Sequence, residues 1–251
     1  MLILLSPAKN VNETRAAGHA TTVPRFLDEA EDLVSVARTW SAQDISQIMK
    51  VSGALAALNV DRFADWTRTG DCAAGLLFDG DVARELEFGT LDEDAQQSAA
   101  VRLRFLSGLY GLLRPSDGVC AYRMEMGRKI PGHPAGTLYE FWDTKISEAI
   151  VEDAAAAGAG AILNLASEEY SKAVKPSALG DLALVSPRFE DMTGGKRRVI
   201  GVAAKRARGA MARWVLQTGA TDPADIQAFD VGGYAFDPAT SEPGRPVFLR
   251  G

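Results

Sequence analysis

Two short stretches of this chain are apolar, broken only by Asn164 in the second. Residues 1–5 (MLILL) and 161–165 (AILNL) are too short for buried helices and carry no polar alternation, so both predict strands covered on their two faces. Residues 182–185, 197–202 and 247–249 complete the predicted strands, with Thr193-Gly194-Gly195-Lys196 as a hairpin turn. Helical spacing appears elsewhere. Over 24–40 the residues Phe26, Leu33, Val36, Ala37 and Trp40 share one side, with acids on the other. Residues 41–58 read as a helix capped by Ser41, a tight turn at Lys50-Val51-Ser52-Gly53, and a second helix. Residues 61–100 read as mostly helical scaffold, and Tyr139, Phe141 and Trp142 open one helix running from about 136 to 157. The helix expected over 203–216 places Ala203, Ala207, Ala210, Met211 and Trp214 on one side. Strands and helices in this order predict a mixed α/β (α+β) fold: one large domain over 1–251, a central mixed sheet, surrounding helices, and an embedded helical hairpin over 41–60.

Residues 106–127 follow neither period cleanly. Within 101–113, Gly108 and Gly111 at i, i+3 read as the bare face of a helix, ended by Pro115. Residues 122–127 then alternate. A strand there puts Tyr122, Met124 and Met126 on one face and Arg123 with Glu125 on the other, as a structural ion pair or as groups held ready for a substrate.

With 47% hydrophobic and 24% charged residues, the 251-residue chain lies in the globular range. No apolar run approaches the roughly 18–20 residues that span a bilayer, and residues 1–5 lack the length and basic flank of a signal peptide, so the expected location is cytoplasmic with no membrane partner. Cys72 and Cys120 form no CxxC pattern and His19 and His133 are the only histidines, so neither a cofactor nor an obligate metal is expected. The acids at Asp79, Asp81, Glu85, Asp92, Glu93 and Asp94 match no calcium loop and read as solvated faces.

The net charge of −6 conceals two basic segments. Residues 102–129 carry six Lys/Arg against two acids, and residues 188–213 carry eight against two. A localised anion-binding surface needs such a concentration whatever the total charge. In the helix expected over 203–216, Lys205, Arg206, Arg208 and Arg213 fill the arc opposite the apolar side, separated only by Gly209 and Ala212, with no interleaved acid. Ser6-Pro7-Ala8-Lys9 follows a buried strand, where α/β proteins place ligand groups. Asn164 is polar inside a buried strand, and Ser167 suits a helix cap.

Several of these segments together resemble the YaaA peroxide-stress family: Ser6-Pro7-Ala8-Lys9, Leu106-Ser107-Gly108-Leu109-Tyr110-Gly111 with Leu113-Arg114-Pro115, Tyr122-Arg123-Met124-Glu125-Met126-Gly127, Asn164-Leu165-Ala166-Ser167-Glu168-Glu169-Tyr170 with Val174-Lys175-Pro176, Lys205-Arg206-Ala207-Arg208-Gly209, and Gly233-Tyr234-Ala235-Phe236. The resemblance implies a bacterial cytoplasmic protein of the hydrogen-peroxide response, associated with limiting free iron, with DNA binding and with recombinational repair. It also implies a mixed α/β fold with a positively charged cleft and a helix-hairpin-helix element. The hairpin over 41–60 departs from that element, because Lys50 and Ser52 stand where glycines let a phosphate approach.

Two functions follow as expectations. In the first, Lys50, Ser52, Arg102, Arg104, Lys196, Lys205, Arg206, Arg208 and Arg213 bind the phosphates of duplex DNA or repair intermediates, largely without regard to sequence. In the second, the chain is an enzyme acting on a nucleotide, nucleobase or nucleic-acid phosphate. Glu125 or Glu168 is then the general acid/base, Arg123 or Lys9 stabilises anionic charge, and Ser6, Tyr110, Arg114, Tyr122, Asn164, Ser167 and Lys175 complete the pocket.

Overall fold

The apolar run at residues 1–5 becomes the middle of the molecule. In the computed structural model, which describes residues 1–251, the strands are β1 (Leu2–Leu5), β2 (Cys72–Ala73), β3 (Leu103–Ser107), β4 (Gly111–Leu113), β5 (Gly118–Val119), β6 (Ala161–Asn164), β7 (Ala183–Val185), β8 (Arg188–Thr193), β9 (Lys196–Arg198), β10 (Tyr234–Phe236) and β11 (Val247–Arg250). The central sheet has the order β4-β3-β1-β6-β7. It is parallel except at its β3–β4 edge, and Ile3 lies between Leu103 and Leu163. All four residues of β1 are fully buried, the condition that requires an apolar run rather than an alternating strand.

A second sheet, β10-β11-β8-β9, joins β8 and β11 in parallel and the other pairs antiparallel, while β2 and β5 form a small ribbon. Phe189, Phe229 and Phe248 pack on one another at the second sheet, and the buried side chains of both sheets belong to one continuous core. The expected turn between β8 and β9 is present, with Gly194 and Gly195 at φ +58° and +74°. No helix is long and apolar enough to cross a membrane.

The helical hairpin at 41–60 forms as Ala42–Met49 and Gly53–Ala64. Ser41 and Asp44 make a reciprocal capping box, and Lys50 ends the first helix at φ +53°, a left-handed position usually given to glycine or asparagine.

Four elements differ from the sequence pattern. Residues 101–113 are not one helix, because helix Glu93–Arg102 gives way at once to β3 and β4. Burial beside β1 outweighs helical spacing there. Gly108 serves a close approach instead of a helix face, since a Cβ on it would lie 2.2 Å from the Met124 carbonyl oxygen, while Gly111 turns the hairpin at φ +67°. Residues 122–127 join no ladder despite their alternation. The helix expected over 136–157 is divided into Leu138–Trp142 and Lys145–Ala156 by Asp143 at φ +38°. The strand expected over 197–202 stops at Arg198, and helix Gly201–Thr218 begins three residues later.

That last helix is also rotated from its expected setting. Ala204, Ala207, Met211, Ala212, Val215 and Leu216 are its buried residues, whereas Ala203, Ala210 and Trp214 are only half-buried. Gly209 fixes the rotation. Its face meets helix Asp81–Leu86 so closely that a Cβ would lie 2.2 Å from the Val82 carbonyl oxygen.

Candidate functional site

β3, β1 and β6 run in the same direction, so their carboxyl ends reach one edge of the sheet. Ligand sites of open α/β sheets lie outside that edge. Here β1 leads into Ser6-Pro7-Ala8-Lys9 and β6 leads into Leu165-Ala166-Ser167, and a pocket of about 480 Å³ opens between them. Phe78, Phe105 and Leu165 supply its apolar floor. Residues 79–83 and helix Gly201–Thr218 form the facing wall, from which Lys205 and Arg208 enter.

Two serines join the strand ends. The Ser167 backbone N–H donates to Ser6 Oγ at 2.8 Å, and Ser6 Oγ–H donates to Ser167 Oγ at 3.2 Å. Ser167 occupies the N-cap position of the single turn Glu168–Ser171, yet its hydroxyl makes no capping bond, contrary to its sequence reading as a cap. It turns to Ser6 instead. Asn164, the polar residue in β6, shapes this exit: its Nδ2 donates to Ser186 Oγ at 3.0 Å and its Oδ1 accepts from the Ala166 N–H at 3.2 Å.

Glu125 lies at the back of the pocket, 3% exposed. Arg123 Nη2 donates to its Oε1 at 3.1 Å, Arg128 Nε to its Oε2 at 3.2 Å, and Lys9 Nζ stands 3.6 Å from Oε1. Burial alone would raise its pKa. The hydrogen bond and charge of Arg128, with the charges of Arg123 and Lys9, outweigh that effect and hold the carboxyl below its ordinary value. Glu125 is therefore an ionised anchor, a state unlike the raised pKa of a general acid.

The other acids around the pocket are also engaged. Asp79 pairs with Arg84 at 3.0 Å, Asp81 lies 3.9 Å from Arg206, Glu168 pairs with Lys172 at 3.0 Å, and Glu169 accepts from the Gly127 N–H at 3.0 Å. Lys205 and Arg208 have no carboxylate partner. Burial lowers the pKa of the Arg208 guanidinium, with no opposing interaction.

Of the residues singled out in the sequence, Ser6, Lys9, Glu125, Ser167, Glu168, Lys205 and Arg208 line the pocket, and Arg123 stands directly behind Glu125. Others serve the fold. Tyr110 Oη accepts from Trp66 Nε1 at 2.7 Å and from the Cys120 N–H, and Tyr122 Oη pairs with Ser107 Oγ at 2.6 Å. Arg114 caps a turn through its N–H to Asp117, and the Lys175 N–H donates to Ser147 Oγ. None of these four lines the pocket.

Arg102 and Arg104 must be removed from the phosphate-binding set. Both are buried, Arg102 donating to Ser98 Oγ and the Ala220 carbonyl, Arg104 to Asp153 at 2.6 Å and to two carbonyls. Arg213 is likewise occupied, closing the end of helix Asp81–Leu86 through the Leu86 and Glu87 carbonyls. Lys50, Ser52 and Lys196 are exposed but lie outside the pocket.

Sequence reading overlooked Arg128 and the aromatic rings beneath the pocket, omitted Glu169 from the pocket residues, and took Asp79 for a solvated face. Arg128 alone carried a usable signal, being a cation three residues from Glu125. Cys72 offers no reactive thiolate, because burial first and Asp71 second push its pKa up to about 11.

These features define a mixed α/β protein with a polar pocket, lined by both acids and cations, at the carboxyl edge of a mainly parallel core sheet. The chain belongs to the peroxide stress protein YaaA family, whose model matches residues 1–240. It is 65% identical over 251 residues to a UPF0246 protein of Ruegeria sp. (strain TM1040), with both chains covered completely. A UPF0246 protein of Cereibacter sphaeroides (strain KD131 / KCTC 12085) is 44% identical over 256 residues, covering 100% of this chain and 99% of the relative. A UPF0246 protein of Cupriavidus metallidurans is 42% identical over 258 residues, with 100% and 98% covered.

Proposed function

We propose that this chain acts in the peroxide response by binding DNA, largely without sequence preference, and so limits oxidative damage in association with DNA repair and iron homeostasis. One observation carries the reading. Between residues 196 and 213 there are seven Lys/Arg and no acid, and Lys196, Arg198 and Lys205 are exposed with no carboxylate partner. Arg206 is held only loosely, 3.9 Å from Asp81 and from Glu85. Cations left free in this way can exchange water and counterions for phosphates at little cost. The hairpin at 41–60 supplies a second, smaller site for a phosphate. Ser52 gives helix Gly53–Ala64 no side-chain cap, so its first N–H groups stay open to an anion beside the exposed Lys50.

Fluorescence anisotropy with a labelled duplex over a salt series tests the reading. The combined variant Lys196→Ala, Arg198→Ala, Arg206→Ala should bind more weakly and flatten the salt dependence, by about 0.9 in slope for each phosphate that is no longer neutralised. Unchanged affinity and slope would overturn it.

A further inference from the structure

The charge balance of the pocket differs from that of the exposed segment beside it. Asp79 and Glu168 are ion-paired, Asp81 stands 3.9 Å from Arg206 and Glu169 accepts from a backbone N–H, whereas Lys205 and Arg208 have no carboxylate partner. Arg208 is half-buried, so its desolvation goes uncompensated until an anion enters. Lys9 adds a third charge from the opposite wall, shared at 3.6 Å with a Glu125 that two arginines already satisfy. A phosphomonoester, carrying roughly −1.5 to −2 at pH 7, matches two to three cations better than the single charge of a chain diester.

The hydroxyls agree with this. Ser6 gives its proton to Ser167 Oγ, which leaves the Ser167 O–H with no acceptor in the protein and free to donate to an incoming oxygen. Pro7, Ala8, Val82 and Ala83 give the pocket accessible apolar surface, and about 480 Å³ lies within the roughly 300–1,000 Å³ of small-ligand sites.

We propose that this pocket binds the phosphomonoester of a nucleotide, with Lys9, Lys205, Arg208 and the Ser167 hydroxyl meeting the phosphate and the half-exposed Pro7, Ala8, Val82 and Ala83 lying beside the base. The same chemistry is offered by a free nucleoside 5′-monophosphate and by the 5′-phosphate end of a DNA strand. Neither source requires the duplex-binding surface at 196–206, so the two readings can fail separately.

Isothermal titration of the full chain with deoxyadenosine 5′-monophosphate, with deoxyadenosine, and with a trinucleotide with and without a 5′-phosphate tests the site. The phosphorylated member of at least one pair should bind tenfold or more tightly than its unphosphorylated counterpart, the mononucleotide pair identifying a free ligand and the trinucleotide pair alone a strand end. Arg208→Gln should weaken that binding at least tenfold, and Lys9→Ala, a change at an exposed side chain, about threefold, with circular dichroism confirming that both variants are folded. Equal binding within both pairs, no binding of any phosphorylated species, or unchanged affinity in both variants would overturn the proposal.

Discussion

Residues 102–129 and 188–213 look alike on paper, each a basic segment in an acidic chain, yet they spend their charge in opposite ways. In the first, Arg104 is buried against Asp153, Arg102 against the Ser98 hydroxyl and the Ala220 carbonyl, and Arg123 and Arg128 close on Glu125. In the second, Arg197 and Arg213 are tied down, but Lys196, Arg198, Lys205 and Arg208 have no carboxylate partner. Net charge along a segment is therefore not by itself a measure of what a ligand can use. What matters is whether the fold has already supplied a counterion, and that depends on pairings between residues such as Arg104 and Asp153, 49 positions apart.

The contrast is sharpest for Arg104. Arg104→Ala strips Asp153 of its buried partner, leaving only Arg25 at 2.8 Å, and should cost about 3–5 kcal/mol in urea denaturation without changing the salt dependence of DNA binding. A folded variant of normal stability with weakened DNA binding would place Arg104 in the wrong class.

Glu125→Gln should cost somewhat less, about 2–3 kcal/mol near pH 7, because Lys9 and the two arginines keep partial access to water. Its pH dependence gives a second check. The folded pKa of Glu125 lies below its unfolded value, so its contribution is complete above the ordinary carboxylate pKa, about 4.3, and is lost as the pH falls through the folded pKa. The stability difference between wild type and variant should accordingly shrink in acid, and a difference that grew on acidification would contradict the ionised anchor.

Gly209→Ala probes how the second segment keeps Arg208 at the pocket. The added methyl meets the Val82 carbonyl and should cost about 1–3 kcal/mol while displacing Arg208, so thermal denaturation should show the loss and nucleotide titration a weaker site. The smallest effect on stability belongs to the triple change at Lys196, Arg198 and Arg206, within about 0.5 kcal/mol, since these side chains support no buried neighbour.

Much of the architecture is legible in the sequence where burial leaves a direct mark. The apolar runs of β1 and of Ala161–Leu163 in β6 exist because both faces are covered, and Thr193-Gly194-Gly195-Lys196 announces its turn because the turn needs positive φ. β3 is masked by Arg102 and Arg104, whose partners are remote, and by Gly108, which serves the Met124 carbonyl and no helix face. The pairing of Arg123 with Glu125 was readable from two-residue spacing even though no strand forms. Ser6 and Lys9 could be suspected from their place after a buried strand. Their meeting with Ser167 and Arg208 could not, because it depends on strand order and on how helix Gly201–Thr218 is rotated.

The central place of β1 also sets an order of events during synthesis. Leu2–Leu5 leaves the ribosome about 100 residues before β3 and about 160 before β6, its only two sheet neighbours. At about 5–20 residues per second, this strand waits on the order of ten seconds for its second partner. During that interval the apolar MLILL segment lacks at least one of the two strands that cover its backbone in the folded chain.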